Sequence, residues 1–106
     1  MPFHSPADLS QTEPMPGFVG RFATGATMTA VTWAIASAAK LPEHAHPHEQ
    51  VSHVLEGEFE MTIDGETRRL GPGMVAFVPP NVPHSGQALT DCRIIDVFHP
   101  VRDDYR

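Results

Sequence analysis

Short segments in which apolar and polar residues alternate, separated by glycine and proline, are the feature of this sequence that most constrains its fold. Val31, Trp33 and Ile35, for example, fall on one side of an extended chain, with smaller residues between them on the other. Residues 36–40 have helix propensity, but the five residues before Leu41 and Pro42 are too few for an independent helix. We therefore predict strands at residues 17–22, 27–35, 51–63, 67–70, 74–78 and 93–98.

Turn-forming residues join these predicted strands. Asp64-Gly65 is a hairpin signal, because type I′ turns need positive φ at both central positions. Asn81, in a proline-rich segment, is one of the few non-glycine residues that accept positive φ cheaply. Many short, regularly spaced strands without a convincing helix are typical of an antiparallel sandwich or barrel. The predicted class is all-β, and jelly-roll barrels of this class leave a cavity at one end.

One domain is expected, because 106 residues lie near the usual domain size. Residues 1–20 are predicted to form an irregular N-terminal arm, since four prolines interrupt them. The same prolines argue against a signal peptide or a transmembrane helix there. The barrel domain is assigned to residues 21–106, ending in a short charged tail.

Charge and cysteine content argue against several classes of partner. The net charge of −6, without a Lys/Arg cluster, argues against nucleic acid. The single cysteine, Cys92, rules out an internal disulfide, and the longest weakly apolar run, residues 31–39, is too short to cross a bilayer. We expect a cytoplasmic protein with neither a nucleic-acid nor a membrane partner, whose small core would gain from a second subunit.

A histidine segment, His44-Ala45-His46-Pro47-His48-Glu49-Gln50, carries most of the chemistry. If the segment is extended, its three histidines and Gln50 point to one side. Imidazole together with a side-chain oxygen suits a borderline divalent metal. Glu49 is a rival ligand, but its opposite parity ranks it below Gln50, and His48 is interpreted as a supporting or surface residue.

The strand that follows has two possible faces. Val51, His53 and Leu55 share one parity, which we interpret as the core face, so that His53 is an interior histidine with its hydrogen bonds satisfied. His4 and His99 are interpreted as ordinary surface or structural histidines.

Two motifs of this chain resemble those of the cupins. The first cupin motif is Gly, five residues, His-x-His, three or four residues, Glu, six residues, Gly. Here His44-x-His46 is followed by Gln50 at the Glu position and by Gly57, while Ala38 stands at the leading Gly position. The second motif is Gly, five residues, Pro-x-Gly, two residues, His, three residues, Asn. It is matched by Gly73, Pro79 and His84, with Asn81 and Ala88 as departures.

The resemblance, which covers about residues 30 to 100, implies a cupin-type double-stranded β-helix, or jelly-roll barrel, and a homodimer. It implies one divalent transition metal, which can be nickel, zinc, iron or manganese, bound by His44, His46, Gln50 and His84. Three imidazoles and a neutral amide leave the charge of such an ion uncompensated, which favours an anionic ligand in the open positions.

The C-terminal run Ile95-Asp96-Val97-Phe98-His99-Pro100-Val101-Arg102 resembles that of the small pectin-degradation cupins. These proteins are associated with the linearisation of 4,5-unsaturated uronic acids to open-chain keto uronates, and their functional residues correspond to Asp96, Phe98 and Arg102. On the predicted strand, Asp96 lies between Ile94 and Phe98 on one face, so it points inward if they do. Asp96 would then transfer protons, while Arg102 would either pair with Asp96 or hold a substrate carboxylate.

Two other functions fit the same ligands. One is another metal-dependent cupin enzyme, a dioxygenase, isomerase or lyase, which leaves Asp96 and Arg102 unexplained. The other is a non-catalytic cupin that binds a small anionic sugar acid and releases it unchanged. Fold does not distinguish these alternatives.

Overall fold

The computed structural model describes residues 2–105, and these residues form ten strands and two short 3-10 turns. The predicted all-β class is confirmed. The strands are β1 (Ser10–Met15), β2 (Phe18–Thr24), β3 (Thr29–Ile35), β4 (Lys40–His44), β5 (Glu49–Glu56), β6 (Phe59–Ile63), β7 (Glu66–Leu70), β8 (Val75–Val78), β9 (His84–Ala88) and β10 (Cys92–His99).

Two antiparallel sheets face each other as a jelly roll. The larger has the order β1-β2-β3-β10-β5-β8, and the smaller has the order β4-β9-β6-β7. Inward-facing side chains of both sheets form one core, with Trp33 and Val31 from β3, Val54 from β5, and Phe59 and Met61 from β6. The large sheet carries β5 and β10 side by side, and the small sheet carries β4 and β9 side by side, so residues distant in sequence meet in the barrel.

The predicted turns are present. Asp64 and Gly65 have φ of 49° and 80°, as a type I′ hairpin requires, and they join β6 to β7. Asn81 has φ 65°, in the left-handed region that asparagine accepts at low cost. Ala38, at the position where the cupin motif has glycine, also has positive φ, 71°. Ala38 thus adopts a backbone conformation that glycine accepts more readily than alanine.

The prediction of an irregular arm over residues 1–20 is wrong from Ser10 onward. Ser10–Met15 forms β1 and pairs with β2, which itself begins at Phe18. Pro14 is compatible with this strand because β1 is the edge of the large sheet, where one side of the backbone needs no partner.

Two predictions about β5 need correction. The histidine segment is not one extended strand, because β4 ends at His44 and β5 begins at Glu49. The core parity is also the reverse of the predicted one: Gln50, Ser52 and Val54 are buried, whereas His53 is exposed. Polar residues that hydrogen-bond within the barrel occupy the inner face of β5. The apolar residues on its outer face therefore led to the wrong assignment of the core face.

The C-terminal residues pack onto the barrel. Tyr105, in the 3-10 turn Asp103–Tyr105, stacks on Phe22 with ring centroids 4.9 Å apart. The predicted charged tail is therefore in part packed against the barrel core. Within residues 2–105, no helix combines the length and the apolar character needed to span a bilayer.

Candidate metal centre

Three histidines from three parts of the chain converge in the barrel. His44 and His84 are cross-strand partners in β4 and β9, and His46 lies in the connection between β4 and β5. One ring nitrogen from each of them lies within 4.8 Å of the other two. Imidazole nitrogens that bind one ion at about 2.1 Å lie roughly 3–4 Å from one another. A small movement of the three rings toward each other would therefore complete a metal site.

Backbone carbonyl groups orient these three rings and fix the tautomer of two of them. Nδ1 lies 2.9 Å from the Pro42 carbonyl in His44, 3.1 Å from the His48 carbonyl in His46, and 2.9 Å from the Val82 carbonyl in His84. A carbonyl oxygen only accepts, so Nδ1 of His44 and of His84 carries the proton and their Nε2 atoms keep a free lone pair. Both ring nitrogens of His46 face oxygen acceptors, because its Nε2 lies 3.1 Å from Gln50 Oε1. Hydrogen bonds of this kind orient metal-binding histidines.

Burial favours the neutral form of two of these imidazoles, those of His46 and His84. It lowers the pKa of His84 to about 4, and it also lowers the pKa of His46. The Nε2 atom of His84 is buried and has no hydrogen-bond partner among the described residues. A buried lone pair without a partner is costly unless a cation completes it, so the donor set fits a divalent metal.

Gln50 brings an oxygen to the same place through a chain of hydrogen bonds. Its amide Nε2 donates to Ser52 Oγ over 2.9 Å, and Ser52 Oγ donates to Asp96 Oδ1 over 2.6 Å. The amide oxygen of Gln50 then faces His46 Nε2 at 3.1 Å. In the metal-free chain this distance suits an Nε2–H hydrogen bond to the amide oxygen, and with Nε2 unprotonated the two atoms would be close enough to bind one cation.

Asp96 accepts hydrogen bonds from two elements. Its Oδ2 receives Trp33 Nε1–H over 3.0 Å, in addition to the bond from Ser52. The residue keeps some accessible surface because it lines a cavity, yet its carboxyl group is desolvated, and this burial raises its pKa to about 6. Trp33 reaches Asp96 past Gly20, where an added Cβ would lie 2.7 Å from the indole ring.

Phe98 and Arg102 line the same cavity as Asp96. The Phe98 ring packs edge-on against His46, with centroids 5.6 Å apart. The Arg102 guanidinium lies 4.9 Å from the Phe98 ring centroid and 4.3 Å from that of Tyr105. Arg102 Nε and Nη2 donate to the two Asp104 carboxylate oxygens over 3.1 and 2.6 Å. The structure thus pairs Arg102 with Asp104, and not with Asp96 as one prediction had it.

The family assignment rests on a match to most of the barrel. The family described as "Cupin domain" matches residues 31–98, which contain both histidine motifs. The chain is a cupin. This also agrees with the fold, because an RmlC-like cupin from Shewanella frigidimarina superposes with a TM-score of 0.93 at 32% identity, over 100% of this chain and 96% of that one.

This cupin is similar to proteins called KdgF. The structure of KdgF from Halomonas sp. matches with a TM-score of 0.88 at 32% identity, over 96% of each chain. The pectin degradation protein KdgF of Dickeya dadantii is 36% identical over 64 residues, which is 58% of each protein. Across the curated relatives that it matches, the cupin spans from 22% to 58% of their length. The expected resemblance to small pectin-degradation cupins is therefore confirmed.

Most of the residues singled out in the sequence lie around one cavity, while Glu49 is exposed on the opposite face of β5 and His48 is half-buried beside His46. Two residues of the site, Ser52 and Trp33, were not anticipated. Ser52 could have been found from the alternation of side chains along β5, because it lies two residues after Gln50 and shares its face.

Ser52→Ala is expected to weaken metal binding by about 10-fold, at the low end of the range for residues that hold metal ligands in place. Without Oγ, the Gln50 amide loses the acceptor that turns its oxygen toward His46. Titration of the metal-free protein with nickel(II) by calorimetry measures the change. Ser85→Ala, a half-buried serine of β9 outside this hydrogen-bond chain, is the matched control. Equal affinities of Ser52→Ala and the wild type would contradict the orienting role.

Proposed function

We propose that this cupin promotes the ring opening of 4,5-unsaturated uronic acids from pectin or alginate breakdown to open-chain keto uronates. The proposal rests on one cavity that three kinds of group line. They are His44 of the histidine cluster, the desolvated carboxyl group of Asp96 and the guanidinium of Arg102. The similarity to KdgF proteins, one of which is named for pectin degradation, supports the same substrate class.

The metal ligands in this proposal are His44, His46, His84 and the amide oxygen of Gln50. When bound, a divalent ion would supply Lewis acidity that lowers the pKa of a substrate hydroxyl. None of these ligands is a carboxylate, so an anionic substrate would not be repelled by a negatively charged ligand at the metal.

Phe98 and Arg102 are proposed to hold the substrate. The Phe98 ring lines the cavity beside the histidines and would pack against the edge of the sugar ring. Arg102 has a second terminal nitrogen, Nη1, that makes no hydrogen bond within residues 2–105, and a guanidinium binds carboxylates in a defined orientation. Asp104 holds the other donors in place, so Arg102 is oriented before a substrate arrives.

Asp96 is proposed to move the proton. In the ring opening, the anomeric hydroxyl loses its proton and the bond between C1 and the ring oxygen breaks. An aldehyde forms at C1, and the electron pair becomes an enolate over C5 and C4. Protonation of C4 then gives the ketone at C5, so the proton taken from one position is returned at another. A carboxyl group with a pKa near 6 can both accept and return a proton close to neutral pH.

A lyase-generated unsaturated monouronate tests this function. We expect the nickel-loaded or zinc-loaded cupin to accelerate the loss of the enol-ether ultraviolet absorbance, and chelation of the metal to abolish the acceleration. NMR of the product should show the open-chain keto uronate. If the absorbance decays at the buffer rate in the presence of the metal-loaded protein, the proposed activity is wrong. A ligand that binds and returns unchanged would point to the non-catalytic alternative.

A further inference from the structure

The Arg102 side chain is mostly buried, but the carboxylate that pairs with it is exposed. Its side chain is 12% exposed, whereas that of Asp104 is 56% exposed. An ion pair with an exposed carboxylate is screened by water and salt, and it restrains a long side chain only weakly. The pair with Asp104 therefore does not account for the burial of Arg102 or for the plane in which its guanidinium lies.

Two aromatic rings account for both. The guanidinium carbon of Arg102 lies 4.9 Å from the Phe98 ring centroid and 4.3 Å from that of Tyr105. The two rings are inclined at 71° to each other, with centroids 5.8 Å apart, so the guanidinium occupies the corner between them. A guanidinium is attracted to the face of an aromatic ring, more strongly where water is excluded. Tyr105 is the closer of the two rings.

Tyr105 is held in place by the large sheet. Its ring stacks on Phe22 with an interplanar angle of 22°, and it meets Trp33 edge-on at a centroid distance of 6.2 Å. Just before it in the chain, the Arg102 backbone N–H donates to the hydroxyl of the fully buried Thr29 over 3.0 Å. These contacts with β2 and β3 give the Tyr105 ring a defined position.

Trp33 also links this ring to the proposed proton-transfer group. The indole contacts Tyr105, and its Nε1–H donates to Asp96 over 3.0 Å. Arg102, Tyr105 and Asp96 line the same cavity. One rigid side chain of β3 therefore supports both the carboxyl group and the ring that orients the arginine, so the position of the guanidinium relative to Asp96 depends on Tyr105.

We propose that Tyr105 is a positioning residue that makes the site select uronates over uncharged sugars. The proposal rests on the proposed function, because it takes the substrate carboxylate as the partner of Arg102. Tyr105 keeps the guanidinium at the cavity wall. There Nη1, which makes no hydrogen bond within residues 2–105, is available to donate to that carboxylate.

Kinetics on the lyase-generated unsaturated monouronate test this role. The substrate carboxylate keeps its charge throughout the ring opening, so its contact stabilises the bound substrate and the transition state alike. Loss of such uniform binding raises KM and leaves kcat unchanged. Tyr105→Ala is expected to raise KM by about 10-fold, the size of one desolvated contact between a cation and a ring.

Tyr105→Phe is the conservative variant in this comparison. It keeps the ring and should retain the wild-type KM. A rise in KM equal to that of Tyr105→Ala would show that the hydroxyl, and not the ring, carries the effect, and it would overturn the proposal.

Binding of a saturated uronate separates this proposal from the ring-opening activity. In calorimetry with the nickel-loaded cupin, the wild type should bind D-galacturonate more tightly than its uncharged methyl ester. Tyr105→Ala should bind galacturonate about 10-fold more weakly and the ester equally well. Phe3→Ala, which removes an 86% exposed ring near the N-terminus, is the matched control and should bind both as the wild type does. Unchanged nickel(II) affinity shows that each variant keeps the metal centre.

Three binding results would overturn the proposal. They are a wild type without preference for galacturonate over its ester, a Tyr105→Ala variant that keeps the preference, and one that loses equal affinity for both sugars. The second would place the carboxylate away from Arg102, and the third would reduce Tyr105 to a structural role. If the preference depends on Tyr105 but the unsaturated uronate decays at the buffer rate, the ring-opening function fails and the role of Tyr105 in uronate binding stands.

Discussion

Replacing Asp96 by asparagine should reduce ring-opening activity on an unsaturated uronate by at least about 100-fold, or to the uncatalysed rate if that is reached first. Asparagine keeps the shape of the side chain and an acceptor for one of the two donors, Ser52 Oγ–H and Trp33 Nε1–H, but it cannot carry a proton. Ultraviolet decay of the enol ether measures the effect, and metal content is determined on the same sample. Full activity in a metal-loaded Asp96→Asn variant would contradict the assigned proton transfer.

The loss of activity should not come with a loss of the fold. Burial raises the pKa of Asp96 to about 6 from 3.8, so between these pH values the native state binds a proton that the unfolded chain has released. The contribution of Asp96 to the free energy of unfolding therefore falls as pH rises through this window, by up to about 3 kcal/mol. Asparagine removes that cost, which offsets the one hydrogen bond it loses. Glu60→Gln, which neutralises an exposed carboxylate on β6, is the matched control.

Replacing His84 by alanine should remove most of the stabilisation that metal gives the cupin. His84 supplies one of three converging imidazoles, and the loss of one of several ligands weakens a site by about 3 kcal/mol, or on the order of 100-fold. At a metal concentration 1,000 times the wild-type dissociation constant, binding stabilises the wild type by about 4 kcal/mol and the variant by about 1.4 kcal/mol.

Thermal unfolding with and without nickel(II) measures this difference. Because about 1 kcal/mol shifts the midpoint by 4–8 °C in a domain of this size, the metal-induced shift should fall to about a third in His84→Ala. The comparison is within each protein, so the cavity left by a buried histidine does not enter it. His4→Ala, an exposed histidine near the N-terminus, should keep the full shift. An undiminished shift in His84→Ala would place the metal elsewhere.

The convergence of the histidines could be anticipated because it depends on local spacing and on the order of the motifs. His44 and His46 are too close in sequence to diverge far, and the turn at Asn81 sets the start of the strand that carries His84. A further contact was not foreseeable: the Asn81 backbone N–H donates to the His46 carbonyl over 2.7 Å and joins the two motifs directly. Such a contact depends on how two loops meet, which periodicity does not encode.

The inward face of β5 was predicted wrongly because the more hydrophobic of its two faces was assumed to point into the core. The inward set contains Gln50 and Ser52, which are satisfied by one another and by Asp96, and the outward set is more apolar. A rule that places apolar residues in the core reverses the assignment wherever the interior is a polar site and the outward residues are apolar. The β1 strand was missed for a different reason, since Pro14 is excluded from a central strand but not from an edge.

The amide of Gln50 also bears on electron transfer. Cupins with a carboxylate at this position give their metal a negative ligand, which stabilises a higher oxidation state. In this chain an ion held by three neutral imidazoles and the Gln50 oxygen would keep its whole charge, so the removal of an electron would be opposed by uncompensated electrostatic repulsion. The site is thereby suited to reactions in which electrons move within the substrate alone, as they do when a sugar ring opens to its isomeric keto form.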